Sequence, residues 1–315
     1  MSKWTAEDIP DQSGRTFLVT GANSGLGFIT SLELARHRAH VIMTARNETK
    51  GQAALDRILA DIPSARVELA LLDLADLDAV KAFAERLLVK GTPVDVLVNN
   101  AGIMMPPHSL TRQGYELQFG VNHLAHFALT GILLERLKKG RDSRVVTVSS
   151  NLHKRGSIYF DNLDGAKRYG RVPFYAQSKF ANVLFALELN RRLQAAGLPV
   201  RSLLAHPGYS ATNLQLSGPT GPLRVFMHIG NRFLAQSAKK GALNQLYAAT
   251  VPDIEGGQFV GPDGWNEMYG FPTIVQPVAA ARDRELARQL WKVSEDLTGV
   301  RPDFSPLLEA LNGKQ

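Results

Sequence analysis

Tyr175 and Lys179, four residues apart in "YAQSK", form the pair best suited to chemistry in this sequence. The segment around them is strongly helical in composition, and residues at i and i+4 share one helix face. An unperturbed phenol titrates near 10, too high for easy proton exchange at neutral pH. A neighbouring ammonium favours the phenolate and lowers that value, so the pair can act as a general acid or base. Upstream, "RVVTVSS" ends in Ser149 and Ser150. Either hydroxyl can donate a hydrogen bond to a substrate oxygen.

A second constellation lies near the start of the chain. "TGANSGLG", Thr20 to Gly27, follows the apolar run "RTFLVT" and precedes "FITSLELARHR". In such a strand–loop–helix setting Gly21 permits a tight turn, Gly25 a close backbone approach, and Gly27 close packing of helix on strand. The N–H groups of the loop, which also holds Asn23, Ser24 and Leu26, then face a pyrophosphate at the helix N-terminus. The next strand ends "MTARN", with Thr44 and Arg46 and no acid. An acid there would accept from a ribose 2′-OH, whereas a guanidinium holds a 2′-phosphate through a forked pair. NADP(H) rather than NAD(H) is the expected cofactor, with Arg46 as its discriminating contact. Arg46 as a plain solvated strand end is the alternative.

These groups need a scaffold that brings them together. Short β-branched runs at 15–20, 40–44, 67–73, 94–99, 144–149 and 200–205 alternate with amphipathic segments such as "AALDRILADI" and "DAVKAFAERLL". Strict alternation implies βαβ units, hence an α/β doubly wound (Rossmann) parallel sheet with helices on both faces. No repeat or linker interrupts it, so residues 1–315 are expected to form a single domain. The rhythm breaks after the sixth strand, where the Gly/Pro cluster "SGPTGP" precedes an apolar helical face of Val225, Phe226, Ile229 and Phe233. A substrate lid over about 213–236 is expected there. Near the C-terminus "DRELARQLWKVSEDLTG" predicts a helix with Asp283 as N-cap and Gly299 as its stop. Its inward stripe is expected to be Leu286, Leu290, Val293 and Leu297.

Composition narrows the function classes. The chain has 315 residues and no cysteine, so disulfides, thiolate nucleophiles and cysteine-bound metals are excluded. The net charge of +7 is scattered without a basic run, and no nucleic-acid motif accompanies it. The first sixteen residues do not resemble a signal peptide, and no run long enough to span a bilayer is expected. A cytoplasmic protein without a transmembrane anchor fits. His123 and His126 lack a third ligand at metal spacing, so no metal is expected, and His206 reads as a structural strand-end residue.

Seven stations in order resemble the short-chain dehydrogenase/reductase family. They are the glycine loop, "LLDLAD" with Asp73 and Leu74, "VNNAGIM" with Asn100, Ala101 and Gly102, "GVNHLAHF" with Asn122, "VTVSS", "YAQSK", and "HPGYSAT" with Pro207, Gly208 and Thr212. "VTVSSNLH", "YAQSKFANVLFALEL" and the C-terminal segment are similar to the retinol-dehydrogenase-like subgroup. Protochlorophyllide reductases are near relatives, but they typically use cysteines and lack the strand-five serine that this chain keeps.

The resemblance implies a tetrad of Asn122, Ser150, Tyr175 and Lys179. Tyr175 would be the acid/base and Ser150, rather than Ser149, the partner of the substrate oxygen. Lys179 would tune Tyr175 and bond the nicotinamide ribose, and Asn122 would hold a water in a proton relay. Asp73 and Leu74 would bracket the adenine, and Asn100–Gly102, Pro207, Gly208 and Thr212 would line the cofactor. The segment between Ser150 and Tyr175 is longer than is usual in the family and must loop out and return. Met104, His153, Tyr209 and Phe226 are the candidate substrate contacts, lining a pocket suited to a lipophilic aldehyde or ketone of retinoid, steroid or alkyl type. Family members often associate as homo-oligomers through the tyrosine-bearing helix. Two competing readings are a non-catalytic dinucleotide sensor and a membrane-surface lipid or retinoid reductase in peripheral contact with the bilayer.

Overall fold

The computed structural model describes residues 3–209 and 237–306. The expected lid at 213–236, with Thr212 and Phe226, lies outside the described residues. Among the described residues the sheet has eight strands: β1 (Thr16–Val19), β2 (His40–Ala45), β3 (Arg66–Leu71), β4 (Val96–Asn99), β5 (Ser143–Val148), β6 (Val200–Ala205), β7 (Phe259–Pro262) and β8 (Pro272–Val275). Their spatial order is β3-β2-β1-β4-β5-β6-β7-β8. The order reverses between β1 and β4, which opens a crevice at the carboxyl ends of the strands where ligands bind in such sheets.

The sheet is buried on both faces, so β1, β4 and β5 carry almost uninterrupted runs of buried residues. Alternation still divides them by face. Leu18, Leu97, Val145 and Leu204 enter one core with α3 (Leu77–Val89), α4 (Leu117–Lys138), α5 (Arg171–Ala195) and α7 (Arg284–Thr298). Phe17, Val19, Val96, Val98 and Leu203 enter the other with α1 (Gly25–Arg36), α2 (Glu48–Asp61) and α6 (Ala238–Thr250).

Several expectations change. β7, β8 and α6 were not legible in the sequence, and β8 runs antiparallel to β7, so the sheet is not wholly parallel. Both late strands have only four residues and include or adjoin glycine and proline, which mask the strand pattern. In α7, Asp283 accepts from the Glu285 and Leu286 N–H groups, and Gly299 ends the helix at φ +66°. Its buried stripe is Ala287, Leu290, Trp291, Ser294 and Thr298, however, with Leu286, Val293 and Leu297 only half-buried along its edge.

The expectation that no run could span a bilayer also needs correction. The 22-residue helix α4 is long and apolar enough by length and composition. Of its most apolar window 89% is buried in the protein, which is how a core helix passes the same test. A π-turn at Gly120–Leu124 interrupts it around Asn122. Such turns occur mostly as single insertions, often at functional sites.

Candidate active site

The glycine loop is shaped by close contacts that leave no room for side chains. Gly21 has φ +66° and Gly25 φ +56°, a left-handed backbone that glycine adopts without steric cost. A Cβ on Gly21 would lie 2.9 Å from the Ala101 Cβ, and one on Gly27 would lie 2.5 Å from both Asn100 Nδ2 and Gly21 O. Gly27 therefore admits the Gly21 carbonyl and the Asn100 amide rather than the strand alone. Ser24, at the N-cap of α1, makes no side-chain hydrogen bond to the helix start, so the helix's first N–H groups point into the crevice unmasked by that side chain.

Behind the loop Thr20 acts as a hub. Its hydroxyl accepts from the Asn100 and Ala101 N–H groups, each at 2.9 Å, and lies 2.9 Å from His126 Nε2. His126 Nδ1 is 3.0 Å from the Asn122 carbonyl. A carbonyl only accepts, so Nδ1 carries the proton and Nε2 accepts from Thr20. Burial pushes His126 down to about 4, consistent with that neutral tautomer. Asn100 Nδ2 donates to the Thr20 carbonyl at 2.7 Å, and Asn100 Oδ1 accepts from Gln245 at 3.1 Å. Gln245, on α6, was not foreseen.

At the strand ends the two serines separate cleanly. Ser149 is buried and donates its hydroxyl proton to the Lys179 carbonyl at 2.8 Å, although it too lines the cavity described below. Ser150 caps a 3-10 turn, Asn151–Arg155, its Oγ accepts from the Leu152 N–H at 3.3 Å, and it lines one cavity together with Tyr175. Lys179 Nζ donates to the Val148 carbonyl at 3.2 Å, and its ammonium lies 5.8 Å from the Tyr175 ring centre. Burial pushes the Tyr175 phenol up to about 12, with Ser150 pulling it partly back, and draws Lys179 down to about 8. The expected lowering of Tyr175 by Lys179 is not seen: burial raises the phenol, and the opposing pull comes from Ser150.

Asn122 is fully buried. Its Oδ1 accepts from the Ile103 N–H at 2.8 Å, while Nδ2 donates to the Ile103 carbonyl and the Ser178 hydroxyl at 3.0 and 2.9 Å. The amide thus pins the backbone just after Gly102. A Cβ on Gly102 would come within 3.1 Å of Asn122 Oδ1 and 3.4 Å of Lys179 Nζ.

These residues border a cavity of about 540 Å³ whose lining includes Leu26, Asn100, Gly102, Ser150, Tyr175 and Lys179. Met104, Met105 and Leu152 pack with Tyr175 as an apolar wall. Pro207, Gly208 and Tyr209 line the cavity, and Met268, Asn266 and Lys154, unforeseen, line it with them. Asp73 accepts from the Ala75 N–H at 2.9 Å, Leu74 is buried in the core, and Arg46 is exposed at the end of β2.

His153 does not fit the substrate contact expected of it. It is fully buried and absent from the cavity lining. Its Nδ1–H donates to the Ser150 carbonyl at 2.7 Å, and Nε2 accepts from the Val278 N–H at 3.3 Å. With both nitrogens engaged and burial pushing it down to about 4, it anchors the Ser150 turn. Among the described residues no cluster of ligating side chains could hold a metal ion.

The comparisons agree with this geometry. The model of the short chain dehydrogenase family matches residues 15–219. Mouse (Mus musculus) retinol dehydrogenase 14 is 38% identical over 301 residues, covering 91% of this chain and 86% of that protein. Human (Homo sapiens) retinol dehydrogenase 13 is 39% identical over 294 residues, covering 91% and 85%. Mouse (Mus musculus) polyprenol dehydrogenase is 39% identical over 298 residues, covering 93% and 86%. Among solved structures, an uncharacterised protein from Mycobacterium paratuberculosis is 44% identical, with a TM-score of 0.80 over 96% of this chain and 100% of that one. A structure from Beutenbergia cavernae, described as an NAD(P)-dependent gluconate 5-dehydrogenase with bound NADP, is 29% identical, with a TM-score of 0.60 over 78% and 94%. Sheet order, glycine loop and sequence likeness converge, and the chain belongs to the short chain dehydrogenase family, in its retinol-dehydrogenase-like subgroup, as a dinucleotide-dependent oxidoreductase acting on CH–OH groups.

Proposed function

We propose that the protein interconverts a lipophilic aldehyde or ketone and its alcohol, with NADP(H) as cofactor and Tyr175 as acid/base. The carrying observation is that Ser150, Tyr175 and Lys179 line one cavity walled by Met104, Met105 and Leu152. The residues present fit a dinucleotide, because Gly21 and Gly25 turn the loop at positive φ and the Ser24 side chain leaves the first N–H groups of α1 uncapped beside the cavity-lining Leu26. Gly21–Gly27, Asn100, Gly102, Pro207 and Gly208 would hold it, with Arg46 at the 2′-phosphate. Bound there, it supplies or accepts the hydride.

The chain's own groups do the rest. Ser150 holds the substrate oxygen by a hydrogen bond. Tyr175, held as a neutral phenol by burial, gives its proton to that oxygen as negative charge builds on it. A nascent alkoxide is far more basic than a phenolate, so a phenol near 12 is still a competent acid. In the reverse direction the deprotonated tyrosine takes the alcohol proton. Lys179, which donates to the Val148 carbonyl at 3.2 Å, keeps an ammonium 5.8 Å from the phenol ring centre. The apolar wall favours alkyl or ring carbons, at about 25 cal/mol per Å² buried.

Nicotinamide absorbance with an aldehyde chain-length series tests this. The expected result is kcat/KM rising with apolar length and a preference for NADPH that falls roughly 10- to 150-fold in Arg46→Ala. A flat series removes the lipophilic substrate, and a parental preference for NADH removes the cofactor assignment.

A further inference from the structure

The connection between β7 and β8 forms one cavity wall and holds two left-handed residues that are not glycine. Asn266 has φ +47° and Glu267 φ +56°, and residues held in such conformations persist only where surroundings enforce them. The surroundings here are contacts to two other cavity walls. Glu267 Oε2 accepts from His206 Nε2 at 2.9 Å, and His206 Nδ1 accepts from the Gly208 N–H at 3.3 Å. Glu267 Oε1 accepts from Lys154 Nζ at 2.8 Å. Neighbouring contacts run the same way. Asn151 Nδ2 donates to the Asn266 carbonyl at 2.7 Å, and the Tyr209 N–H donates to the Met268 carbonyl at 2.7 Å.

We infer that Glu267 is a positioning residue: through His206 and Lys154 it clamps the Pro207–Tyr209 turn to the Ser150–Arg155 segment and so sets the width of the cavity between them. Lys154, Pro207, Gly208, Tyr209, Asn266 and Met268 all line that cavity, whereas His206 is fully buried behind it. The clamp keeps Ser150 and the Pro207–Gly208 turn in register. Misplacing a reacting group by a fraction of an ångström slows chemistry and weakens ligand binding together. The left-handed backbone follows, because it is what aims the carboxylate back between the two walls. This inference rests on the proposed NADP(H)-dependent carbonyl reaction.

The test compares the parent with Glu267→Gln, Lys154→Met and the double variant. NADPH Kd is read by fluorescence titration, kcat and KM with a lipophilic aldehyde, and Tm by thermal melting. Glu267→Gln preserves shape and an acceptor for His206 but loses the charge facing Lys154. The expected result is NADPH Kd raised about fivefold and kcat/KM lowered about tenfold, with Tm within about 3 °C of the parent. Lys154→Met should lower kcat/KM similarly, and the double variant should be no worse than the poorer single, because both break one clamp. Parental Kd in Glu267→Gln, additive losses in the double variant, or a Tm drop that tracks the lost binding each overturn the clamp. A parent that binds no NADPH removes the proposed function itself, and the clamp with it.

Discussion

The cavity has two rims built on opposite plans. The glycine-loop rim is made by backbone: Gly21 and Gly27 allow close approach, Asn100 and Ala101 close on them from the end of the neighbouring β4, and Thr20 at the end of β1 bonds both. The β7–β8 rim is made by side chains. There Asn266 and Glu267 hold left-handed conformations without being glycine, and the ties to His206 and Lys154 join residues 61 and 113 positions apart. A backbone rim tolerates almost no added atom. A side-chain rim tolerates exchange of atoms but depends on each partner staying in place.

Tyr175 stands where both rims meet, and Tyr175→Phe should have the largest effect. Turnover is expected to fall about 10³-fold, with NADPH Kd within about threefold of the parent, since only the proton donor is deleted. Retention of a third of parental kcat would assign the acid/base elsewhere. On the glycine side, Gly27→Ala places a methyl 2.5 Å from the Gly21 carbonyl and Asn100 Nδ2. Destabilisation of about 3 kcal/mol in urea unfolding and loss of NADPH binding are expected. Unchanged values for both would show that the loop yields as readily as the other rim.

Acid compares the rims through their buried histidines. His126 serves the glycine loop and His153 the Ser150 turn, and burial lowers each from 6.5 to about 4. Because the folded value lies below the unfolded one, the unfolded chain takes up protons first as the pH falls. Their contribution is intact above pH 6.5 and is lost between about 6.5 and 4, by at most about 3 kcal/mol for each. Urea unfolding at pH 7.5 and 5 should show this decline, and His126→Gln and His153→Gln should each reduce the proton uptake by about one. Equal stability at both pH values would mean that neither histidine is held neutral. The smallest effect is expected from Asn266→Gly, the reverse exchange to Gly27→Ala. Removing the Cβ at φ +47° should stabilise the fold by about 0.5 kcal/mol or less, because asparagine already tolerates this region well. A loss of stability there would mean that the Asn266 side chain, not only its carbonyl, holds the rim.

What the sequence determined by itself is what depends on local pattern. Alternating apolar periods place β1 to β6 within one or two residues, because strand and helix burial repeat at fixed intervals along the chain. The glycine loop was legible because positive φ and close approach demand a particular residue type at each step. Tyr175 and Lys179 were legible because i and i+4 on a helix are neighbours whatever surrounds them. Tertiary structure decided everything that depends on distant partners. The four-residue strands β7 and β8 exist through their pairing with each other and with β6. Ser149 and Ser150 are identical in type and adjacent, and only the Lys179 carbonyl on α5 tells them apart. His153 looked free to touch substrate until Val278, 125 positions away, claimed its second nitrogen. Spacing set the Tyr175–Lys179 pair, but the direction of the tyrosine's shift followed from how much water the fold removes from the phenol. Burial is a property of the whole packed molecule, and no local stretch of sequence encodes it.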